Sequence, residues 1–287
     1  MKKYIYPALI VAFALVFLVS AVLLADYFIK SKKQQDQYDE LSNLVQQGQQ
    51  QQPSSTDPTD GGNASDATQP GSDDPDSTPA QPVTHVTVTN PNTGKPMKIL
   101  REYAIIYQKN SDLVGWIKID GTRVNYPVMQ TPEWVNFYLT RDFYKKNSRH
   151  GAIYANESAN INTPSDNVTL YGHRMADGSM FASLHNYSDI EFYKKYPYIT
   201  FDTLTEHHTY QIMSVFRTTA TLGEGFTYHT FVDGDEQSFA EYVRQCKELS
   251  FYETSVEATY GDKLLTLSTC DHSIENGRYV VVAKRIS

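Results

Sequence analysis

Cysteine is scarce in this chain, which has only Cys246 and Cys270 among its 287 residues. Secreted domains that depend on disulfides usually carry more cysteines at regular spacing. One bridge between the two is compatible with their number, and the alternative is one reactive thiol and one structural thiol. Within 239–249, Cys246 shares a helical face with Phe239 and Val243, so this spacing predicts a core position for Cys246.

The chain also lacks a basic stripe, and its formal net charge is −8. This charge argues against a nucleic-acid-binding protein. No group of His, Cys, Asp and Glu has metal-ligand spacing, and neither an HExxH motif nor a glycine-rich phosphate loop is present. We therefore expect no metal, no cofactor and no nucleic acid as a partner.

Residues 5–24 form a run without charge that is interrupted only by Pro7 and Ser20. A helix needs about 20 apolar residues to cross a bilayer, whereas the apolar part of a cleaved signal peptide has roughly 7–15. The sequence therefore predicts an uncleaved membrane anchor at 5–25 behind a short tail at 1–4. A cleaved signal is the alternative. Lysines flank the run on both sides, so the positive-inside rule decides the orientation poorly.

A polar stretch follows the anchor and reaches residue 97. Residues 46–52 are almost entirely Gln, and residues 53–82 are mostly Ser, Thr, Asp, Gly and Pro. Such a composition buries too little apolar surface to offset chain entropy. We therefore predict a disordered linker at 26–97 and a folded domain at 98–287.

Short β-like runs separated by turn residues fill this folded domain. Their number and spacing predict a barrel or a sandwich. The eight runs are Val114–Ile119, Val124–Met129, Gly151–Ala155, Val168–Tyr171, Tyr198–Leu204, Tyr210–Thr218, Lys263–Thr269 and Tyr279–Ile286. Helical spacing is seen before the first run, near 99–107, and again near 180–196 and 237–249.

Cys270 ends one strand, and Arg278 opens the next after a polar loop. If these strands pair as a hairpin, the two side chains lie at the same end of strands about 4.8 Å apart. A guanidinium beside a thiol favours the thiolate and can stabilise an oxyanion. Considered alone, however, a cysteine at a strand end is more often a small buried residue, and such an arginine is more often a surface charge.

A cysteine nucleophile also needs a proton partner, which is usually histidine. His173 is the best placed, because it follows the apolar strand at 168–171 and a glycine. His272 is the rival, although the polar loop around it argues against a continuing strand. A histidine that precedes the cysteine in the chain disfavours papain-like enzymes, in which the cysteine comes first.

The segment Thr266-Leu267-Ser268-Thr269-Cys270 resembles the TLxTC signature of the sortase family. Leu170-Tyr171-Gly172-His173 resembles the segment of its catalytic histidine, and Arg278 matches its essential arginine. The helical lead-in and the helix near 237–249 are similar to class B sortases. Arg174 departs from the pattern, because class B enzymes often have asparagine there.

This resemblance implies a mainly β fold with added helices, built on an eight-stranded sortase-like barrel. It also implies a cysteine transpeptidase that cleaves an Asn-Pro-x-Thr-like sorting signal near the C-terminus of surface proteins. Cys270 would attack the Thr carbonyl, His173 would protonate the leaving amine, and Arg278 would hold the oxyanion or position the peptide. The thioacyl enzyme would then pass to an amine of a peptidoglycan precursor. Ser268 and Thr269 are assigned to substrate binding.

The implied location is the cell membrane, with a single span, the tail at 1–4 in the cytoplasm, and the linker and catalytic domain outside the cell. Two alternatives remain for the function: a surface β-domain without catalysis, and a cysteine protease that only hydrolyses. Asp271, directly after Cys270, is expected to lie on the surface.

Overall fold

A computed structural model describes residues 2–50, 83–221 and 223–287 of the chain. The α-helices along these residues are α1 (Lys2–Gln50), α2 (Arg101–Lys109), α3 (Ile190–Lys195) and α4 (Glu236–Leu249). The strands are β1 (His85–Thr89), β2 (Pro96–Leu100), β3 (Leu113–Lys118), β4 (Asn125–Met129), β5 (Ile153–Ala155), β6 (Asn167–Tyr171), β7 (Tyr198–Thr203), β8 (Thr209–Thr219), β9 (Leu264–Asp271) and β10 (Gly277–Arg285). Short 3₁₀ helices cover Phe137–Leu139, Ala182–Ser188 and Tyr228–Thr230.

Strands β3 to β10 close into a barrel in the order β10-β8-β7-β3-β4-β5-β6-β9. The eight predicted strands are confirmed, with ends that differ by one or two residues. Most neighbours are antiparallel, but β4 pairs with β5 and β6 pairs with β9 in parallel. The β6–β9 pairing matters for function, because it brings together two strands that are far apart in the sequence.

The two faces of β9 and β10 pack against different parts of the molecule. Leu267 and Val281 point into the barrel interior, where they join the main core. Thr266 and Val282 point outwards and are covered by α4. The Tyr242 hydroxyl of α4 lies 2.8 Å from the Thr266 hydroxyl, which fixes the helix on this outer face.

Helix α4 begins where the sequence provides a cap. The Asp235 side chain accepts a hydrogen bond of 2.8 Å from the Ser238 backbone N–H, which satisfies one of the free donors of the first turn. Its buried face carries Phe239, Val243 and Cys246. Cys246 is fully buried, as predicted, and burial raises the pKa of its thiol. Both cysteines are free thiols, so no bridge joins them.

The predicted linker at 26–97 is ordered at both ends. Helix α1 continues through residue 50, and β1 pairs with β2 before the barrel begins. The second half of α1 packs on the barrel through side chains at steps of three and four, which form one helical stripe. These buried residues are Ser31, Gln34, Tyr38, Leu41 and Val45. The prediction of disorder was wrong there because sparse apolar residues among glutamines were sufficient for this stripe; residues 51–82 lie outside the described part.

The first half of α1 has a different surface. It carries large apolar side chains that are exposed from Tyr6 to Ile29. The helix is long and apolar enough to cross a membrane. The predicted anchor at 5–25 lies within it.

An ionic cluster of an exposed histidine and two buried carboxylates joins α2 to the turn between β7 and β8. The His207 ring donates from Nδ1 to Asp202 over 2.9 Å and from Nε2 to Glu102 over 3.2 Å. Tyr103 donates a further bond of 2.6 Å to Asp202. The hydrogen bonds to Asp202 and Glu102 raise the pKa of His207 to about 10, so the ring is a cation at neutral pH. We call these four residues the His207 cluster.

Candidate active site

Cys270 and Arg278 are direct partners across the β9–β10 hairpin. Residues opposite each other in an antiparallel pair carry their side chains on the same face. Further along this outer face, Tyr242 and Tyr228 cover the strands, whereas Cys270 and Arg278 at the end are only half-buried. The hairpin geometry expected from the sequence is confirmed.

His173 follows β6, the neighbour of β9 on its other side. The parallel register places Tyr171 level with Ser268, and the Gly172 N–H donates to the Ser268 carbonyl over 3.1 Å. His173, one residue further on, therefore lies at the same end of the sheet as Cys270. The end of β6, the end of β9 and the start of β10 therefore bring the three predicted catalytic residues to the same end of the barrel.

The imidazole of His173 is oriented by the chain beside it. Its Nε2 lies 2.7 Å from the carbonyl oxygen of Leu139. A carbonyl only accepts, so Nε2 carries the proton and Nδ1 is left for proton exchange with a reacting group. The backbone oxygen of His173 accepts a bond of 3.0 Å from the Phe181 N–H, which holds the residue from the other side.

Gly172 is required for this arrangement because the backbone passes close to two buried side chains. A Cβ at this position would lie 2.5 Å from the Ile153 Cδ1 atom and 2.7 Å from the Phe181 ring. Glycine avoids both clashes. The glycine before His173 therefore allows β6 to end tightly packed, with the histidine at its tip.

Arg278 is held by its own turn. Its Nη1 donates to the carbonyl oxygens of Asn276 and Gly277 over 3.1 and 2.9 Å.

The positive charge of Arg278 affects the pKa values of two rings near the outer face, those of His229 and Tyr228. Burial and the charge of Arg278 both lower the pKa of His229, so that ring is neutral at neutral pH. Burial raises the pKa of Tyr228 to about 12 although Arg278 acts in the opposite direction, so its hydroxyl stays protonated.

Ser268 and Thr269, the predicted substrate-binding residues, are 3% and 2% exposed. Ser268 shares the outer face with Cys270, but its hydroxyl lies 2.6 Å from that of Tyr228, which covers it. Thr269 points to the opposite face, into the barrel, beside its partner Tyr279. A contact between a peptide and the Ser268 hydroxyl would require Tyr228 to move. His272, the rival histidine, lies exposed in the loop after β9.

Asp271 is buried, so the expectation of a surface position was wrong. It faces the barrel side of β9 and pairs with Arg217 of β8, with Nε and Oδ2 2.5 Å apart. Burial opposes ionisation, but hydrogen bonds from Ser273 and the charge of Arg217 lower the pKa of Asp271. Gly277 of β10 pairs with Asp271, and a Cβ at this glycine would clash with the carbonyl oxygen of Asp271.

Sequence reasoning missed Asp271, Arg217 and Tyr228. The alternation of β9 was a usable signal for Asp271, because a residue one step from an outward Cys270 points inwards while the strand continues. No signal identified Arg217 or Tyr228, since each reaches the site only through strand pairing or a loop that folds over the sheet. Among the described residues, no group of three or more His, Cys, Asp or Glu could hold a metal ion.

Comparison with known proteins identifies the family. The Sortase domain family model matches residues 117–286. This chain belongs to the sortase family, in class B, and its family activity is transpeptidation. It is 36% identical over 185 residues to sortase B of Staphylococcus aureus, covering 62% of this chain and 71% of that protein.

One further relative and one solved structure support the class. Sortase B of Listeria monocytogenes is 31% identical over 180 residues, which cover 62% of this chain and 71% of that protein. A solved Staphylococcus aureus sortase B–substrate complex superimposes with a TM-score of 0.67 at 25% identity, covering 90% of this chain and 99% of that one. The sortase barrel and the helices around it are therefore both present in this chain.

Proposed function

We propose that this sortase is a cysteine transpeptidase with Cys270 as its nucleophile. The observation that carries the proposal is the register of β6, β9 and β10. This register brings Cys270, His173 and Arg278 to the same end of the barrel. A thiol, an imidazole and a guanidinium at one edge are the groups that acyl transfer needs.

The reaction proceeds in two acyl transfers. The Cys270 thiolate attacks the Thr carbonyl of the substrate, and Arg278 stabilises the resulting oxyanion. The oxyanion collapses, the peptide C–N bond breaks, and protonated His173 gives its proton to the leaving amine. This leaves a thioacyl enzyme. An acceptor amine then attacks the thioester, loses a proton to His173 and releases the Cys270 thiolate.

The substrate we propose is an Asn-Pro-x-Thr-like sorting signal near the C-terminus of a surface protein. The acceptor we propose is an amine of a peptidoglycan precursor. Both follow from the class B resemblance, and a sortase B relative has been solved with a substrate. Arg174, directly after His173, is the residue at which this chain departs from class B, so it is a candidate for altered motif preference. Ser268 and Thr269 are buried, so we propose that they support the surface on which the peptide binds and do not contact the peptide themselves.

The proposed location is the cell membrane, with α1 as a single span, residues 1–4 in the cytoplasm and the catalytic domain outside. The exposed apolar surface of α1 up to Ile29 supports this proposal. Residues 51–82, of polar composition, remain the proposed extracellular linker.

Incubation of the detergent-solubilised full chain with Asn-Pro-x-Thr-type peptides tests the activity. Cleavage after Thr is expected, and Cys270→Ala should abolish it. Cys246→Ala is the matched control, since this buried thiol lies on α4, and most activity should remain. Loss of chemistry in a folded Cys246→Ala variant would refute the assignment of the nucleophile.

Two readouts separate the alternatives. A methanethiosulfonate reagent should modify Cys270 in the folded protein, whereas an inert thiol would indicate a non-catalytic β-domain. Mass analysis with and without an added amine should show the amide product. Only the free acid in both samples would indicate a hydrolytic protease.

A further inference from the structure

Helix α1 changes character at residue 30 without a break. Up to Ile29 its large exposed side chains are apolar, as expected of a helix in lipid, and the exposed Asp26 near the end of this run pairs with Lys30 over 2.7 Å. From Ser31 to Val45 one stripe is buried against the barrel, while Lys32, Lys33 and their neighbours on the other side are exposed. The segment that enters the membrane and the segment that packs on the catalytic domain are thus one rigid rod.

The first contacts of this rod are made with the segments beside the candidate site. Ser31 hydrogen-bonds to the Asp177 carboxylate, and Arg149 lies 5.8 Å over the Tyr27 ring. Asp177 comes four residues after His173, in the loop that the histidine begins. The membrane end of the domain is therefore the end that carries the His173 loop.

Asp177 forms several further hydrogen bonds, so its contact with Ser31 fixes the position of the His173 loop relative to α1. His150 Nε2 lies 2.9 Å from its carboxylate, and Arg123 donates to its carbonyl oxygen over 2.8 Å. The backbone N–H of Ser179 donates a further bond of 3.0 Å to the same carboxylate. These bonds connect the loop after His173 both to α1 and to the barrel.

Helix geometry converts these contacts into heights above the bilayer. Each residue of a helix rises about 1.5 Å, so Ser31 lies about 3 Å beyond Ile29 and Gln47 about 27 Å beyond it. Four residues of extended chain span at most about 14 Å. His173 is therefore within about 20 Å of the level at which the apolar surface of α1 ends.

Charges and aromatic rings at this level suit a lipid surface. Tyr27 and Phe28 are at the end of the apolar run, where aromatic side chains favour the headgroup region. Lys32, Lys33 and Arg149 are exposed just beyond it, where cations are attracted to lipid phosphates.

We propose that the continuous α1 rod docks the catalytic domain directly on the lipid headgroups, with the His173 loop at a fixed, low height above the bilayer. This inference rests on the proposed membrane location of α1. The partner is the phosphate layer of the same bilayer that α1 crosses. The domain does not hang on a flexible tether, because the polar segment at 51–82 lies after α1 and not between the span and the first docking contacts.

A fixed distance between the active site and the bilayer limits which membrane-held substrates can reach the site. A peptide that is itself held in the bilayer must reach a site no more than about 20 Å away, which about six extended residues span. The enzyme should therefore favour membrane-held substrates whose cleavage site lies only a few residues from their own span.

Depth-dependent quenching tests the docking. In the full chain with Cys270→Ala, a fluorophore is attached at Ala176→Cys, beside Asp177, or at Gln47→Cys, at the far end of α1; both positions are exposed. The proteins are placed in nanodiscs whose lipids carry a nitroxide at the headgroup. Strong quenching at 176 and little at 47 is expected. Equal quenching at both positions would overturn the proposal.

A change in height tests the functional consequence. Seven helix-forming residues inserted between Lys30 and Ser31 lift the domain by about 10 Å and turn it through almost two full turns, so the docking face is kept. The same seven residues inserted after Gln50 are the control, because they follow the docked segment.

Processing of a membrane-held substrate with a short spacer should fall about tenfold with the first insertion only. Cleavage of a soluble peptide should be unchanged in both variants, and this separates the height effect from the chemistry. Unchanged processing after the first insertion would overturn the fixed-height proposal while the proposed activity stands. Loss of soluble-peptide cleavage in the uninserted protein would instead refute the proposed function.

Discussion

Replacing Arg217 by methionine removes the cation that faces buried Asp271 behind the proposed nucleophile. Methionine keeps an unbranched apolar side chain at this position but removes the guanidinium, whose central carbon lies 5.4 and 5.9 Å from the ring centroids of Phe251 and Tyr279. The main loss is the ion pair of 2.5 Å with Asp271. The Asp271 carboxylate, 1% exposed, would keep the hydrogen bond of 2.9 Å from the Ser273 N–H.

The expected loss of stability follows from the unequal burial of Asp271 and Arg217. Breaking a fully buried pair costs about 3–5 kcal/mol, because a charge is left without compensation. Arg217 is 44% exposed, so water already screens part of the interaction. We therefore expect the free energy of unfolding to fall by about 2 kcal/mol, which lowers Tm by about 4–8 °C in a domain of this size. The activity should fall with it, since Asp271 adjoins Cys270.

The assay is thermal unfolding of the detergent-solubilised full chain, with Arg244→Met as the matched control. Arg244 also pairs with carboxylates, Glu241 and Glu248, but all three side chains are about half exposed. Such exposed pairs are screened by water and contribute little, so Tm should fall much less than in Arg217→Met. Equal shifts for Arg217→Met and Arg244→Met would refute the reasoning.

A second substitution tests the cause of that loss. Adding Asp271→Asn to Arg217→Met removes the uncompensated charge and should recover part of the lost stability. A double variant less stable than the single one would show that the charge was not the source of the penalty.

Three further predictions concern other contacts in the molecule. The His207 cluster stabilises the folded state fully below about pH 6.5, because the pKa of His207 is raised to about 10, and this contribution is lost as the pH rises towards 10; the stability gap between wild type and His207→Gln should therefore shrink over that range, and a constant gap would contradict it. Gly172→Ala should destabilise the protein by about 1–3 kcal/mol and lower kcat by displacing His173; wild-type kcat and Tm would show that the close packing is not needed. Tyr228→Phe should cost about 1 kcal/mol by leaving the Ser268 hydroxyl unpartnered, and adding Ser268→Ala should restore stability; no recovery in a denaturation measurement would refute that account.

Much of the barrel could be predicted because strand signals are local. The eight β-like runs matched β3 to β10, and the spacing around Cys246 matched the buried face of α4. The Cys270–Arg278 pairing was also predictable, because a hairpin joins neighbours in the chain. The periodicity of apolar residues is a weaker guide where a helix is stabilised by packing on a part of the chain that is distant in sequence. For this reason the stripe from Ser31 to Val45 was interpreted as linker, although its spacing of three and four was present.

The sequence by itself determined the apolar first half of α1, the positions of the eight barrel strands along the chain, the buried Cys246 and the hairpin that pairs Cys270 with Arg278. These features depend on side-chain period and on contacts between residues close in the chain. Only the tertiary structure decided that β6 lies beside β9, which brings His173 to the same edge as Cys270. It also decided the burial of Asp271 against Arg217 and the docking of α1 beside the His173 loop, because each depends on surfaces that meet only when the barrel closes.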